Sequence, residues 1–211
     1  MYRRYVKRGL DILLALMVLF LPLPLYAIIA VAIKLDSKGP VLFKQERLGK
    51  GGKTFCMYKF RSMCVDAERM EGGVYSDRRD TRVTRVGRIL RATSLDELPQ
   101  AINILKGEMS FIGPRPPLTY HPWPLEDYTD LQRRMFDVRP GITGWAQIHG
   151  RKAISWEERI KLSIDYVDHL SLGLDAKIFF LTIPKVLSNA DNENVSPAPK
   201  DPAETSETEG K

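Results

Sequence analysis

The longest uninterrupted apolar stretch runs from Ile12 to Ile33 and contains no charged residue. A helix of that length measures on the order of 30 Å, enough to cross the hydrocarbon core of a bilayer. Pro22 and Pro24 stand in its middle, where each removes a backbone donor and forces a break or kink. Arg3, Arg4, Lys7 and Arg8 precede the stretch, and Lys34, Lys38, Lys44, Arg47, Lys50 and Lys53 follow it. Positive charge draws a segment's end to the cytoplasmic side, and here it draws both ends. The pattern therefore predicts a helix-break-helix hairpin that enters one leaflet and returns, ahead of a plain transmembrane span. Carbonyls freed at the break must then find partners within the protein. A cleaved signal peptide ranks lower: Ala30-Val31-Ala32 has the A-x-A form, but the apolar stretch is longer than a normal h-region.

Beyond this stretch the pattern turns into short strands, helices and loops. Val41 to Gln45 and Thr54 to Phe60 carry β-branched or aromatic residues, and the glycine-rich Leu48-Gly49-Lys50-Gly51-Gly52-Lys53 separates them, which predicts a β-hairpin. Gly52-Lys53-Thr54 ends like a P-loop, but Arg47 occupies the place of that motif's first glycine and a strand follows. Glu71 to Asp80 is polar and holds Gly72-Gly73, so a mobile loop is expected. Thr84 to Leu90 predicts a short helix, along which Arg82, Arg85, Arg88 and Arg91 recur every three residues. Such a stripe is more often a solvated face than a binding surface, although its place directly before Asp96 favours binding. Leu98 to Leu105 predicts a helix stopped by Lys106-Gly107, followed by the loops Gly113-Pro114-Arg115-Pro116-Pro117 and Arg139-Pro140-Gly141-Ile142-Thr143-Gly144-Trp145.

Two more helices are expected, Trp156 to Leu170 and Asp175 to Leu187. The second carries apolar bulk between Lys177 and Lys185, a composition suited to a membrane interface and almost equally to a core. After Leu187 the composition shifts to Asn, Pro, Ser, Thr and Glu, too polar to bury a core, which predicts a disordered tail. The fold class is α+β, mostly helical: residues 1–36 form the basic N-terminus and re-entrant helix, 37–187 a cytosolic domain at the membrane interface, and 188–211 an acidic tail.

With 211 residues and 44% hydrophobic content the chain has enough material for a core. Its net charge of +6 hides an asymmetry, because Asp191, Glu193, Asp201, Glu204, Glu207 and Glu209 face only Lys200 and Lys211 in the tail, so the body carries +10. A body that basic suits an anionic partner such as a nucleotide, a nucleic acid or a lipid head group. Cys56 and Cys64 imply no disulfide framework and are read as reduced. His121, His149 and His169 lie in no zinc-ligand spacing, and no Gly-x-Ser-x-Gly elbow exists.

Ser94-Leu95-Asp96-Glu97 precedes a predicted helix and has the Ser-x-x-Glu form of a capping box, and acids in a first turn are favoured by the helix dipole whether or not they react. Lys59, Arg61, Arg88, Arg91, Arg115 and Arg139 all lie in or beside turn-rich segments that can converge on the acid pair. An acid pair among cations suits phosphoryl chemistry. A helix N-terminus offers N–H groups to phosphate and keeps a carboxylate ionised and able to attack, while a divalent ion offsets the repulsion between carboxylate and diphosphate.

Several blocks together are specific: Gly39-Pro40-Val41-Leu42-Phe43-Lys44-Gln45, Tyr58-Lys59-Phe60-Arg61-Ser62-Met63, Ser94-Leu95-Asp96-Glu97-Leu98-Pro99-Gln100, Lys106 to Pro116, and Arg139 to Gln147. In these blocks the chain resembles the monotopic polyprenyl-phosphate phosphoglycosyl transferases, or bacterial sugar transferases, from Lys7 to Leu187. The resemblance implies that Asp96 attacks the sugar-linked phosphate of a UDP-sugar, releasing UMP, and that polyprenyl phosphate then takes the phosphosugar. It implies that Glu97 assists, that Mg2+ sits at Asp96, and that Lys59, Arg61, Arg88, Arg91, Arg115 and Gln147 hold phosphates or the nucleotide. It also places the membrane-helix break at Pro24, with Leu23 where relatives carry serine, and the protein at the cytoplasmic face of a bacterial inner membrane. At Leu162-Ser163 relatives commonly carry Leu-Asp, and Asp165 is not counted on to replace that aspartate, whereas Asp175 matches. The expected partners are a nucleotide-sugar donor, polyprenyl phosphate and membrane lipids, not nucleic acid, with a homodimer left open. Two rivals are a membrane-tethered nucleic-acid-binding protein, which lacks any recognisable binding motif and leaves the acid pair unexplained, and an inactive scaffold of a polysaccharide assembly.

Overall fold

Helix α1 (Lys7–Phe20) and helix α2 (Leu23–Asp36) divide the apolar stretch, and their axes bend by 61° at the break in a computed structural model that describes residues 1–70, 80–150 and 154–188. Among the described residues no single helix is long and apolar enough to cross a membrane, but this bent pair meets the length and composition together. The break falls at Leu21-Pro22 rather than at Pro24. Pro22 leaves the helical region (φ −95°, ψ 32°), while Pro24 is the second residue of α2, where a missing N–H belongs to the unpaired first turn. Pro22 has no proton to give the Val18 carbonyl four residues back. The Tyr26 hydroxyl donates to that carbonyl instead, at 3.2 Å, so the missing serine at Leu23 has a replacement.

Both ends of this helix pair are fixed to the same body. At the start, Lys7 pairs with Asp175 at 2.7 Å, and Arg8 donates to the Ile104 and Leu105 carbonyls at the end of helix α4 (Gln100–Lys106) at 2.6 and 3.1 Å. Further along α1, buried Asp11 accepts from the Ser110 hydroxyl and the Phe111 amide at 2.9 and 3.0 Å. At the far end, Asp36 of α2 accepts the Val86 amide at 2.9 Å in the first turn of helix α3 (Arg85–Ala92), whose Thr84 cap accepts from Gly87. Arg61 closes α2 by donating to the carbonyls of Ile33, Ser37 and Lys38. Arg61 is thus a capping residue of α2, buried away from any phosphate, and not the substrate ligand that its place in a basic block suggested.

The hairpin pairs β1 (Leu42–Leu48) with β2 (Thr54–Phe60) in antiparallel register, Phe43 opposite Lys59, Gln45 opposite Met57 and Arg47 opposite Phe55. Cross-strand partners share a face, so these six residues point the same way. Phe55 and Met57 join Ala15, Ala101, Ile104 and Met109 in a core between α1 and α4. Two short strands not expected from the sequence, β3 (Ser110–Ile112), just before the Gly113–Pro117 loop, and β4 (Gly141–Thr143), inside the loop expected at Arg139–Trp145, pair in parallel. Their backbones approach so closely that a Cβ on Gly141 would lie 2.1 Å from the Gly113 nitrogen. Strands of three residues carry too little periodicity to be seen in sequence.

The remaining described α-helices are α5 (Asp130–Arg133), α6 (Trp145–Ile148), α7 (Trp156–Asp168) and α8 (Leu172–Ser188). They pack on the sheet pairs through two cores, one holding Tyr166, Val167 and Ile178, the other Leu48, Tyr128, Phe136 and Ile160. Asp175 ties them to the N-terminus, since its carboxylate bonds the Tyr166 hydroxyl at 2.7 Å as well as Lys7 and Tyr2. The side chains of Phe179, Phe180, Leu181 and Ile183 remain exposed on α8, as do Leu13, Met17, Phe20, Leu21 and Ile28 on the N-terminal pair. The predicted loop at 71–79 and the tail beyond Ser188 fall outside the described residues. Tyr26→Phe removes one buried donor and leaves the Val18 carbonyl unmatched, so a loss of about 1–3 kcal/mol is expected in detergent-micelle unfolding; an unchanged stability would show that the break is satisfied otherwise.

Candidate functional site

Asp96 and Glu97 lie in a 3-10 turn, Leu95–Glu97, between α3 and α4. The capping box expected at Ser94 does not form: Ser94 adopts the left-handed region (φ 56°, ψ 16°), its side chain makes no capping bond, and α4 begins only after Pro99. An N-cap needs an extended backbone, which Ser94 does not have. A non-glycine residue held at positive φ is strained, and the strain sits directly beside the acid pair.

Asp96 is 8% exposed. Burial pushes its carboxyl up to about 6; Lys59 and Arg91 oppose this, and the neighbouring Glu97 charge adds to it. Burial, rather than a helix N-terminus, therefore sets the protonation of this residue. Lys59, on the inward face of β2, holds Glu97 in an ion pair of 2.7 Å. The two acids are thereby held in different states, one paired with an ammonium and the other poised between its forms near neutral pH.

On the other strand, Arg47 bonds the Gln45 side chain and donates to the Pro116 carbonyl at 3.0 Å. Burial lowers its guanidinium to about 9, and the adjacent Arg115 charge adds to that effect, while Glu68, Tyr120 and Glu97 oppose it. Arg47 from the hairpin and Arg115 from the proline loop thus bring two positive charges near each other, with the Arg47 donors held by Gln45 and Pro116. Arg47 is absent from the sequence-based candidates; its alternation with Gln45 on one strand face was the available signal.

The other predicted cations divide. Arg91 is half-buried and acts on Asp96, whereas Arg88, three residues earlier on α3, is exposed. Arg82 is buried in an ion pair with Asp80 at 2.8 Å, which breaks the arginine stripe. Arg139 donates to the Gly107 carbonyl at 2.7 Å beyond α4 and does not join the acid pair. Asp165 is exposed and pairs with His169, so it does not stand in for the missing family aspartate.

An open cavity of about 170 Å³ adjoins the acidic turn. Val18, Leu98, Phe111, Ile142, Ile148 and Val186 give it apolar walls, and Glu97, Gln147 and Lys185 give it polar points. Lys185 is a second residue that sequence reasoning missed, since a lysine among apolar residues near the end of α8 reads equally as a membrane flank. Among the described residues no group of three or more His, Cys, Asp or Glu gathers into a ready-made metal site. Two adjacent carboxylates still suit Mg2+, which binds through one or two carboxylates together with substrate phosphates and water.

A family model described as bacterial sugar transferase matches residues 2–189. The chain belongs to the bacterial sugar transferase family. Over 163 residues it is 49% identical to the uncharacterized sugar transferase EpsL of Bacillus subtilis, covering 77% of each chain. It is 46% identical over 187 residues to the UDP-N-acetylgalactosamine-undecaprenyl-phosphate N-acetylgalactosaminephosphotransferase of Aeromonas hydrophila, covering 87% of this chain and 44% of that one. It is 43% identical over 191 residues to the UDP-glucose:undecaprenyl-phosphate glucose-1-phosphate transferase of Escherichia coli K12, covering 88% and 41%. The chain thus spans less than half the length of these last two relatives.

In this bacterial sugar transferase the raised Asp96 pKa has a definite sign for stability. Protons bind the folded form more tightly than the unfolded one, so ionising Asp96 destabilises the fold as pH rises from about 4 through 6. Asp96→Asn is expected to stabilise the metal-free protein at pH 8 by on the order of 3 kcal/mol, a gain that shrinks toward pH 4. Paired denaturation curves in EDTA at the two pH values check this, and a gain independent of pH contradicts it.

Proposed function

We propose that this protein moves a sugar-1-phosphate from a UDP-sugar to polyprenyl phosphate at the cytoplasmic face of a bacterial inner membrane. The observation that carries the proposal is the placement of buried Asp96, with its pKa near 6, beside the Lys59–Glu97 ion pair and Arg91, in a turn whose Glu97 lines a mainly apolar cavity. The names of the Aeromonas and Escherichia coli relatives support the same donor and acceptor classes.

The reaction has two displacements at one phosphorus. An Asp96 carboxylate oxygen attacks the sugar-linked phosphorus of the UDP-sugar, the bond to the bridging oxygen breaks, and UMP leaves with that oxygen. An oxygen of polyprenyl phosphate then attacks the same phosphorus and expels the Asp96 carboxylate, giving a polyprenyl-diphosphate sugar. Arg47 and Arg115 hold diphosphate oxygens, and Arg91 and Lys59 offset the charge that gathers beside Asp96. Glu97, paired with Lys59, accepts a proton from the acceptor phosphate or orients it. Asp96 and Glu97 are the residues to hold Mg2+, which when bound supplies charge neutralisation of the diphosphate.

The bent α1–α2 pair is the membrane anchor in this reading. Its two ends are tied to one folded body, through Lys7 and Arg8 at one end and Asp36 and Arg61 at the other. A segment so tied enters and leaves by the same face. With Cys56 and Cys64 replaced by serine, Arg4→Cys and Lys38→Cys are both expected to react with impermeant maleimide from the cytoplasmic side only. Labelling of the two from opposite sides would establish a span.

The enzymatic test is UMP release by detergent-purified protein given Mg2+, undecaprenyl phosphate and a panel of UDP-sugars. Release that falls about a thousandfold or more in Asp96→Asn is expected, as for loss of a nucleophile. No release with any donor would favour an inactive scaffold.

A further inference from the structure

Gln147 is 7% exposed, yet among the described residues neither its amide nitrogen nor its carbonyl oxygen has a hydrogen-bond partner. Buried polar groups are nearly always paired, so an amide orphaned at both ends points to a group that completes it. Gln147 lines the cavity beside the acidic turn, together with Glu97 at one side and Lys185 at another.

Apart from Ser94, Thr143 and Thr182, the rest of that cavity is apolar. Val18 comes from α1, Ile148 from α6 and Val186 from α8. The same two helices that contribute Val18 and Val186 also carry exposed Met17 on α1 and exposed Phe179 and Ile183 on α8, so the helices that wall the open cavity also present apolar surface of the kind that suits lipid. The exposed wall is mainly hydrocarbon, which suits a prenyl chain better than a base and ribose, and Arg47 and Arg115 lie with the hairpin and the proline loop instead.

We propose that this cavity is the port of the lipid acceptor, in which Gln147 and Lys185 hold the phosphate monoester of a polyprenyl phosphate while its first isoprene units pack on Val18, Ile148 and Val186. The assignment rests on the transferase reading above and names which substrate this part of the site takes. The chemistry of the carboxamide fits a monoester in particular. Its NH2 donates to a phosphate oxygen, and its carbonyl accepts from the P–OH of the singly ionised monoester, the form that grows as pH falls toward the second phosphate pKa of about 6. The product, a diphosphate diester, has no P–OH left to donate. Half of the contact is therefore lost on transfer, which favours release of the product over the acceptor. Glu97, in the wall of the same cavity, places the bound phosphate next to Asp96.

The test uses the full-length protein in detergent micelles. Gln147→Leu replaces an unpaired amide by an apolar group of similar size, so Tm is expected to stay the same or rise. At the same time KM for undecaprenyl phosphate is expected to rise about tenfold or more, with KM for the UDP-sugar changed by less than about twofold. A rise confined to the sugar donor, or a fall in Tm with both KM values unchanged, overturns the assignment. A readout that needs no turnover is photo-crosslinking of the wild-type protein with a diazirine-bearing polyprenyl phosphate. Adducts are expected on the peptides holding Val18, Ile148 and Val186, displaced by undecaprenyl phosphate but not by inorganic phosphate or undecaprenol. Displacement by inorganic phosphate alone would leave a simple anion site and sink the lipid port. Adducts at these peptides without turnover of any donor would remove the transferase reading and keep the port; turnover with adducts elsewhere would do the reverse.

Discussion

When a helix breaks in an apolar medium, the carbonyls it frees meet no water, and each must be satisfied by the protein itself. In this chain the break is made by Pro22, and the Tyr26 hydroxyl supplies the donor that Val18 has lost. Much of the architecture follows from that one contact. With the turn stable, α1 and α2 can leave and return by the same face, and the charged residues at their ends can grip one body. Arg8 and Asp11 hold α4 and β3 from one side, and Asp36 and Arg61 hold α3 and the end of β2 from the other. The acidic turn lies between α3 and α4, so its position is set by both arms of the anchor.

The acid pair shows how burial and charge divide two chemically similar groups. Lys59 pairs with Glu97 at 2.7 Å, while burial holds Asp96 where it can exist in either form near neutral pH. Around the pair the environment is uneven: guanidiniums gather toward the hairpin and proline loop, and hydrocarbon toward α1 and α8. That arrangement suits two substrates of opposite solubility meeting at one atom.

The sequence made the large features legible because each rests on a local rule. Two prolines in an apolar run with basic flanks announced a bent pair, glycines between alternating runs announced the hairpin, and ordered blocks around Asp96 announced the family. It misplaced features that depend on tertiary partners. Arg61 sits in a basic block like a phosphate ligand, but the open carbonyls at the end of α2 claim it. Ser94 has the spacing of a cap, yet its left-handed backbone takes it out of that role. The β3–β4 pair escaped notice, with β4 read as loop, because three-residue strands show no period, and Lys185 became a candidate only when the fold brought α1, α8 and the acidic turn around one cavity.

The two bonds from Arg8 to the end of α4 also change what the N-terminal segment is. A tether that merely localised the protein could be cut away and leave a working soluble remainder. Here the guanidinium that closes α4 belongs to the anchor, and Ala15 of the same helix fills the core beneath it. Severing the anchor would open that core and loosen the helix on which the reactive turn leans. With α1 and α2 as the proposed membrane anchor, attachment to the bilayer and assembly of the acidic turn's surroundings would be one folding event rather than two.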